Sequence, residues 1–158
     1  MARTAIVPIS QGVAGGGVSK RLSADQVRSA WMEIFRKVRA ETEARAAYLS
    51  VEDQIVQSME DASPTKWHRA HVTWFFEQFL LVPHLSGYRV FDRQFAYLFN
   101  SYYVAAGPRH ARPQRGLLTR PASRDIAAYR AHVDAAMVRL LEEADGPQRA
   151  EVSLPASR

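Results

Sequence analysis

The stretch Ser63-Pro64-Thr65-Lys66-Trp67-His68-Arg69-Ala70-His71-Val72-Thr73-Trp74-Phe75-Phe76-Glu77 decides the fold. A hydroxyl followed by proline starts a helix: serine at the N-cap accepts from a free backbone N–H, and proline at the first helical position has no N–H to leave unpaired. At about 100° per residue, Trp67, Ala70, His71, Trp74, Phe75, Leu81 and Val82 share one face of a helix running to about Val82, before Pro83. Arg69, Thr73 and Glu77 are expected to point away, with His68 at the edge of the apolar stripe.

Upstream, Ser23 and Gln26 have the spacing of a capping box, in which each side chain satisfies an otherwise free backbone N–H. A long helix is predicted from there to roughly Leu49, with Val27, Trp31, Ile34 and Val38 as its apolar face. Ser50 is expected to cap a shorter helix, Val51 to Met59. Downstream, Phe91, Phe95, Leu98, Tyr102 and Ala105 alternate four and three apart, which predicts a helix from Val90 to Ala106. A last long helix, Ala122 to Ala144, follows Pro121 and turns Ile126, Tyr129, Val133, Met137, Leu140 and Leu141 inward. No run alternates apolar and polar residues as a strand does. The expected fold is an all-α bundle of four main helices over residues 21–145, preceded by a glycine-rich arm, residues 1–20, and followed by a tail, residues 146–158.

Composition bounds the function. A chain of 158 residues that is 47% hydrophobic can bury one ordered core. It contains no cysteine, which removes disulfides, thiolate metal sites and thiol nucleophiles together. No apolar run approaches the ~20 residues of a membrane span, and no secretory leader is legible, so a cytoplasmic protein without a membrane partner is expected. The formal charge is +5, yet setting aside Arg109, Arg112, Arg115 and Arg120 brings it to +1. The excess is one acid-free loop between Gly107 and Pro121.

Two features carry candidate chemistry. His71 lies within the aromatic stripe, where an imidazole is either a hydrogen-bonded core residue, the commoner fate, or a metal ligand facing neighbouring helices. No H-x-x-x-H pair accompanies it, and nothing in the spacing of His84, His110 or His132 recommends them as partners. A self-contained metal site would need two further ligands among His68, His84, His110 and His132. The basic loop, braced by Pro108, Pro113 and Pro121, suits a carboxylate clamp, the alternative being a solvated loop paired with surface acids. Nucleic acid is disfavoured as a partner because the aromatic residues follow helix faces instead of interleaving with arginine. Phosphate loops, dinucleotide fingerprints and nucleophile elbows are absent.

The motif Ser63-Pro64-x-x-Trp67-His68-x-Ala70-His71-x-x-Trp74-Phe75-Phe76-Glu77 closely resembles a signature of the ergothioneine-biosynthesis sulfoxide synthases (EgtB). Gln54-x-x-Gln57-Ser58-Met59, Phe99-Asn100-Ser101-Tyr102-Tyr103, Gly107-Pro108-Arg109-His110-x-Arg112-Pro113-x-Arg115-Gly116-x-Leu118 and Tyr129-Arg130-x-x-Val133-Asp134 are similar to that family in order and spacing. The resemblance spans roughly Leu22 to Leu141 and implies a DinB-like four-helix bundle, the amino-terminal domain of a non-haem Fe(II) enzyme. Such enzymes use O₂ to join a thiol, γ-glutamylcysteine or cysteine, to hercynine as a sulfoxide. It implies that His71 is the first of three iron-ligating histidines and that Arg112 and Arg115, with Arg109 as a further candidate, hold the carboxylates of the thiol. The family's other two ligands form an H-x-x-x-H pair beyond the matched region, followed by a formylglycine-enzyme-like domain, and this sequence contains neither. The expectation is therefore a domain with no catalytic residue of its own and inactive alone, present as a fragment, a truncated gene product or one half of a split enzyme whose carboxy-terminal part is separately encoded. The alternative is a stand-alone DinB-like helical module that binds without catalysis.

Overall fold

A computed structural model describes residues 22–143, so the expected arm and tail lie outside the described residues. The described chain is helical, with α1 at Ala24–Ala46, α2 at Thr65–Phe76, α3 at Val82–His84, α4 at Phe95–Leu98 and α5 at Ser123–Glu143. A π-helical turn, Glu77–Leu81, joins α2 to α3 without a break in the chain's course. Among the described residues there is no strand, only an isolated bridge between Met59 and Ala62. No described helix is long and apolar enough to cross a membrane.

The capping signals are realised. Ser23 and Gln26 form the reciprocal pair, with N···O distances of 2.8 and 3.2 Å. Ser50 and Asp53 form a second one at 3.1 and 3.2 Å. The helix it starts is a single 3₁₀ turn, Asp53–Ile55, instead of the expected Val51 to Met59, because Val56 turns extended and Gln57 is committed elsewhere. α2 begins one residue later than expected: Pro64 occupies the N-cap, and the Ser63 hydroxyl accepts from Arg115 instead of capping the helix.

α1, α2 and α5 pack on one another, and Trp67, Ala70, Trp74 and Leu81 from α2 and its extension belong to the buried core. The inward face expected of α5 is largely realised: Ile126, Tyr129, Val133, Met137 and Leu140 are buried and Leu141 is partly so. The count of four main helices is not confirmed: five α-helices lie among the described residues. Between Val90 and Ala106 only Phe95–Leu98 is α-helical, followed by a 3₁₀ turn at Val104–Ala106. The reason is that this segment's carbonyls have side-chain partners. Trp67 Nε1 donates to Leu98 O, His71 binds Phe99 O, and Asn100 Nδ2 donates to Tyr103 O and Gly107 O. Gly107 takes a left-handed φ of 99°, a conformation glycine adopts without Cβ strain.

Two facial assignments are corrected. On α1, Trp31, Ile34 and Val38 are exposed, and Val82 at the end of the long helical run is too. The side of α1 that meets the core carries Phe35, Arg39 and Ala46. On α2, Arg69, Thr73 and Glu77 do not point away: all three are buried, because the helix is covered on both faces. Their environment is polar. Arg69 grips Glu43 through Nε and Nη2 at 3.1 and 2.6 Å, and Arg130 reaches the same carboxylate at 2.6 Å. Arg39 bonds Asp134 at 2.7 Å and Thr73 at 2.9 Å. Arg130 also donates to the backbone carbonyls of Arg39 and Arg69, tying α5 to the other two helices. Burial, reinforced by the Arg39 charge, lowers the Arg130 guanidinium to about 10, so it remains a cation at neutral pH.

Farther along the same face, the Glu77 carboxylate accepts from Tyr129 Oη at 2.6 Å, Tyr88 Oη at 2.7 Å and Phe91 N at 3.1 Å. Burial first, then the neighbouring carboxylate, raises both phenols far above their ordinary range. Glu77→Leu would strand three donors in the interior at once. The expected loss of stability is about 3–5 kcal/mol, read by urea denaturation; a loss below about 1 kcal/mol would show that the network contributes little.

Candidate functional site

α2 places His71 on the face opposite its buried arginine. The imidazole stacks on Trp67, with ring centroids 4.7 Å apart and planes 13° apart, and on Trp74 at 5.5 Å and 19°. Tyr103 closes the cluster at 6.4 Å. Nδ1 lies 2.7 Å from Phe99 O. A carbonyl oxygen only accepts, so Nδ1 carries the proton and Nε2 presents a lone pair. Burial lowers the pKa of His71; the bond to Phe99 opposes the shift, and the charges of Arg115 and His68 add to it. At neutral pH the ring is a neutral imidazole with a fixed tautomer, the form in which histidine ligates metals.

Arg115 lies on the other side of Trp67, its guanidinium carbon 3.5 Å from the ring centroid. It donates to Ser63 Oγ at 2.8 Å and to Asn100 O at 3.3 Å, and it is only 4% exposed. No carboxylate pairs with it among the described residues, and its buried Nε has no partner. Desolvation, then repulsion from Arg112 and Arg109, pushes its pKa down to about 10, so it stays charged. An uncompensated cation in this setting is unusual, because arginine is almost never buried without pairing.

The other two arginines form the rim. Arg112 lies 4.6 Å from the Tyr102 ring centroid and reaches Asp61 only at 3.8 Å, while Arg109 is 5.4 Å from the same ring. The fold thus brings His71 and Arg115 together through one shared indole, with Arg112 and Arg109 around Tyr102. Of the other histidines, His68 lies beside this cluster, whereas His110 and His132 are engaged elsewhere. His68 is exposed and edge-on to Trp67, Nε2 of His110 bonds Gln114 O at 3.1 Å, and Nε2 of His132 bonds Arg89 O at 2.9 Å. Among the described residues no three His, Cys, Asp or Glu side chains come together in a group able to hold a metal.

Three residues that sequence reasoning left without a role shape the basic loop. The buried Lys66 donates to Leu118 O at 2.7 Å and to Pro121 O at 3.1 Å, Asn100 holds Gly107 O at 2.9 Å, and Gln57 spans the loop's 3₁₀ turn, Arg112–Leu117. Their signal was present only in the extended motifs, since neither helical period nor charge marks a side chain that binds distant backbone.

The DinB superfamily model matches residues 34–154, most of the chain, and the protein belongs to that superfamily. No curated protein matches the sequence.

The depressed pKa of His71 has a signed consequence. As pH falls below the ordinary histidine value of about 6.5, the unfolded chain takes up the proton before the folded one, so stability is lost from there downward. Imidazole ¹⁵N NMR should find the Nδ1–H tautomer persisting below pH ~6.5, and His71→Asn should flatten the acid side of the stability profile. A ring that protonates at or above the ordinary value would contradict this environment.

Proposed function

We propose that this DinB-superfamily chain is the helical, substrate-holding domain of an ergothioneine-type sulfoxide synthase, in which a thiol is joined to hercynine. In this reading His71 is one of three Fe(II) ligands, and Arg115 with Arg112 receives the carboxylates of the thiol, γ-glutamylcysteine or cysteine, Arg109 lying farther out. The observation that carries it is the pairing, across Trp67, of a neutral imidazole with a buried guanidinium, where among the described residues the imidazole Nε2 has no partner and the guanidinium no counter-charge.

The fit to iron is partial. The Nε2 lone pair suits one coordination position, and the carbonyl bond at Nδ1 is the kind of outer contact that orients a ligating histidine. The described residues supply no second or third ligand, so they do not make a complete site. What the chain's own residues do is bind and orient. The unpaired Nε of Arg115 is closed to solvent, so a carboxylate would reach it only with a shift of that side chain, gaining a charge-assisted hydrogen bond in a water-poor setting. The Trp67 ring separates that cation from His71 and fixes the spacing between the two groups.

Calorimetric titration with γ-glutamylcysteine tests the substrate half of the reading. Binding should weaken by about 1.5–3 kcal/mol in Arg112→Ala and in Arg115→Met, the size of a lost hydrogen bond to a charged group. Mixing the chain with a polypeptide that carries the H-x-x-x-H pair and the formylglycine-enzyme-like domain, plus Fe(II) and both substrates, tests the rest. Sulfoxide should form with the wild type and not with His71→Ala. Thiol binding without sulfoxide formation would favour the non-catalytic binding module, and indifference to both arginines would end the carboxylate assignment.

A further inference from the structure

We infer that Gln57 is a positioning residue, a clamp that sets the basic loop in its anion-receiving shape. The inference rests on the carboxylate-holding reading of Arg112 and Arg115 and adds to it a residue that touches neither the imidazole nor the guanidinium groups.

The geometry is specific. Gln57 follows the 3₁₀ turn at Asp53–Ile55, in sequence some fifty residues before the loop, and its primary amide uses both ends. Nε2 donates to Arg112 O at 2.9 Å and to Glu60 O at 3.3 Å. Oε1 accepts from Gly116 N at 2.6 Å. One side chain therefore holds the backbone at residue 112 and at residue 116, bracketing Arg115. The approach is close: a Cβ built on Gly116 would lie 2.7 Å from Gln57 Cβ, the rigid base of the side chain. Only glycine allows the loop to seat here, so Gly116 and Gln57 act as one device.

The need for such a clamp follows from the loop's charge. After desolvation, Arg112 and then Arg109 depress the Arg115 guanidinium, so both repel it in the free protein. Ser63 and Asn100 O offer Arg115 neutral acceptors only. A loop held by its side chains alone would relax outward and separate the charges. Bonds from a neutral amide to the backbone hold the cations together without neutralising them, which leaves their charge for a ligand.

The experiment compares wild type, Gln57→Ala, Gln57→Glu and Gly116→Ala, with Ser58→Ala, an exposed neighbour, as control. Two readouts are taken on the full chain: amide hydrogen exchange and the affinity for γ-glutamylcysteine. In wild type and Ser58→Ala the Gly116 amide should exchange slowly. It should exchange fast in Gln57→Ala and remain slow in Gln57→Glu, which keeps the acceptor for Gly116 N but loses the donor to Arg112 O. Affinity should fall about tenfold in Gln57→Ala and Gly116→Ala, with the exchange of α2 and α5 amides unchanged. Equal exchange at Gly116 in wild type and Gln57→Ala, or thiol affinity unmoved in both Gln57→Ala and Gly116→Ala, would overturn the clamp. If wild type binds no thiol, the carboxylate reading fails by itself, and exchange at Gly116 alone decides whether Gln57 orders the loop.

Discussion

Glu43 accepts two guanidinium groups at once, Arg69 from α2 and Arg130 from α5, and this junction fixes how the three long elements meet. Its members are buried on the arginine side and half-buried on the acid side, so water can hydrate the carboxylate while the cations depend on protein acceptors. Arg130 extends the junction into the backbone by bonding the carbonyls of Arg39 and Arg69, and Arg39 continues it to Thr73 and Asp134. Hydrophobic burial would permit α1, α2 and α5 to slide or rotate, since aliphatic contacts are non-directional. Guanidinium forks are directional, and they select one rotation of α2.

That rotation decides what the opposite face presents. With Arg69 and Thr73 turned toward α1 and α5, Trp67, His71 and Trp74 necessarily face the segment around α4. There the helix donates two side-chain N–H groups, Trp67 Nε1 and His71 Nδ1, to the successive carbonyls of Leu98 and Phe99. Helix ends leave carbonyls unsatisfied, and α4 has its own terminus capped by a neighbouring helix's rings. The tautomer of His71 is thus a consequence of where α4 stops. A polar junction on one side of α2 and a short helix on the other together define the imidazole's free nitrogen.

Much of this was legible in the chain, and the failures have physical causes. Period and caps located α1, α2 and α5 to within a few residues, and the inward face of α5 was read nearly completely, because that helix has a single wet side. α2 has none. A wheel assigns polar residues outward by assuming that one side meets water, and Arg69, Thr73 and Glu77 break that assumption by finding partners inside. On α1 the apolar residues at 31, 34 and 38 outlined a seam that remains exposed, while the side built on Phe35, Arg39 and Ala46 buries an arginine instead. The Val90 to Ala106 helix failed for a related reason: Asn100 and the α2 rings compete for its carbonyls, and no count of apolar spacing registers that competition. At the site, His71 and the three arginines were visible as residue types in rare combinations. The depth of Arg115 was not visible, since its burial depends on Trp67 and Ser63 arriving from another element.

That depth gives the clearest argument for a ligand. A surface arginine needs no explanation, and a buried one with a carboxylate is a structural pair. Among the described residues Arg115 is neither: its neighbours are an indole face, a hydroxyl and a carbonyl, and two further cations stand nearby. Interaction with the Trp67 ring offsets part of the desolvation, on the order of 2 kcal/mol for a dehydrated pair. It does not offset the repulsion from Arg109 and Arg112. The fold bears this cost at one loop and braces that loop with Gln57, Lys66 and Asn100. Under the proposed function, the missing negative charge is the carboxylate of the thiol substrate.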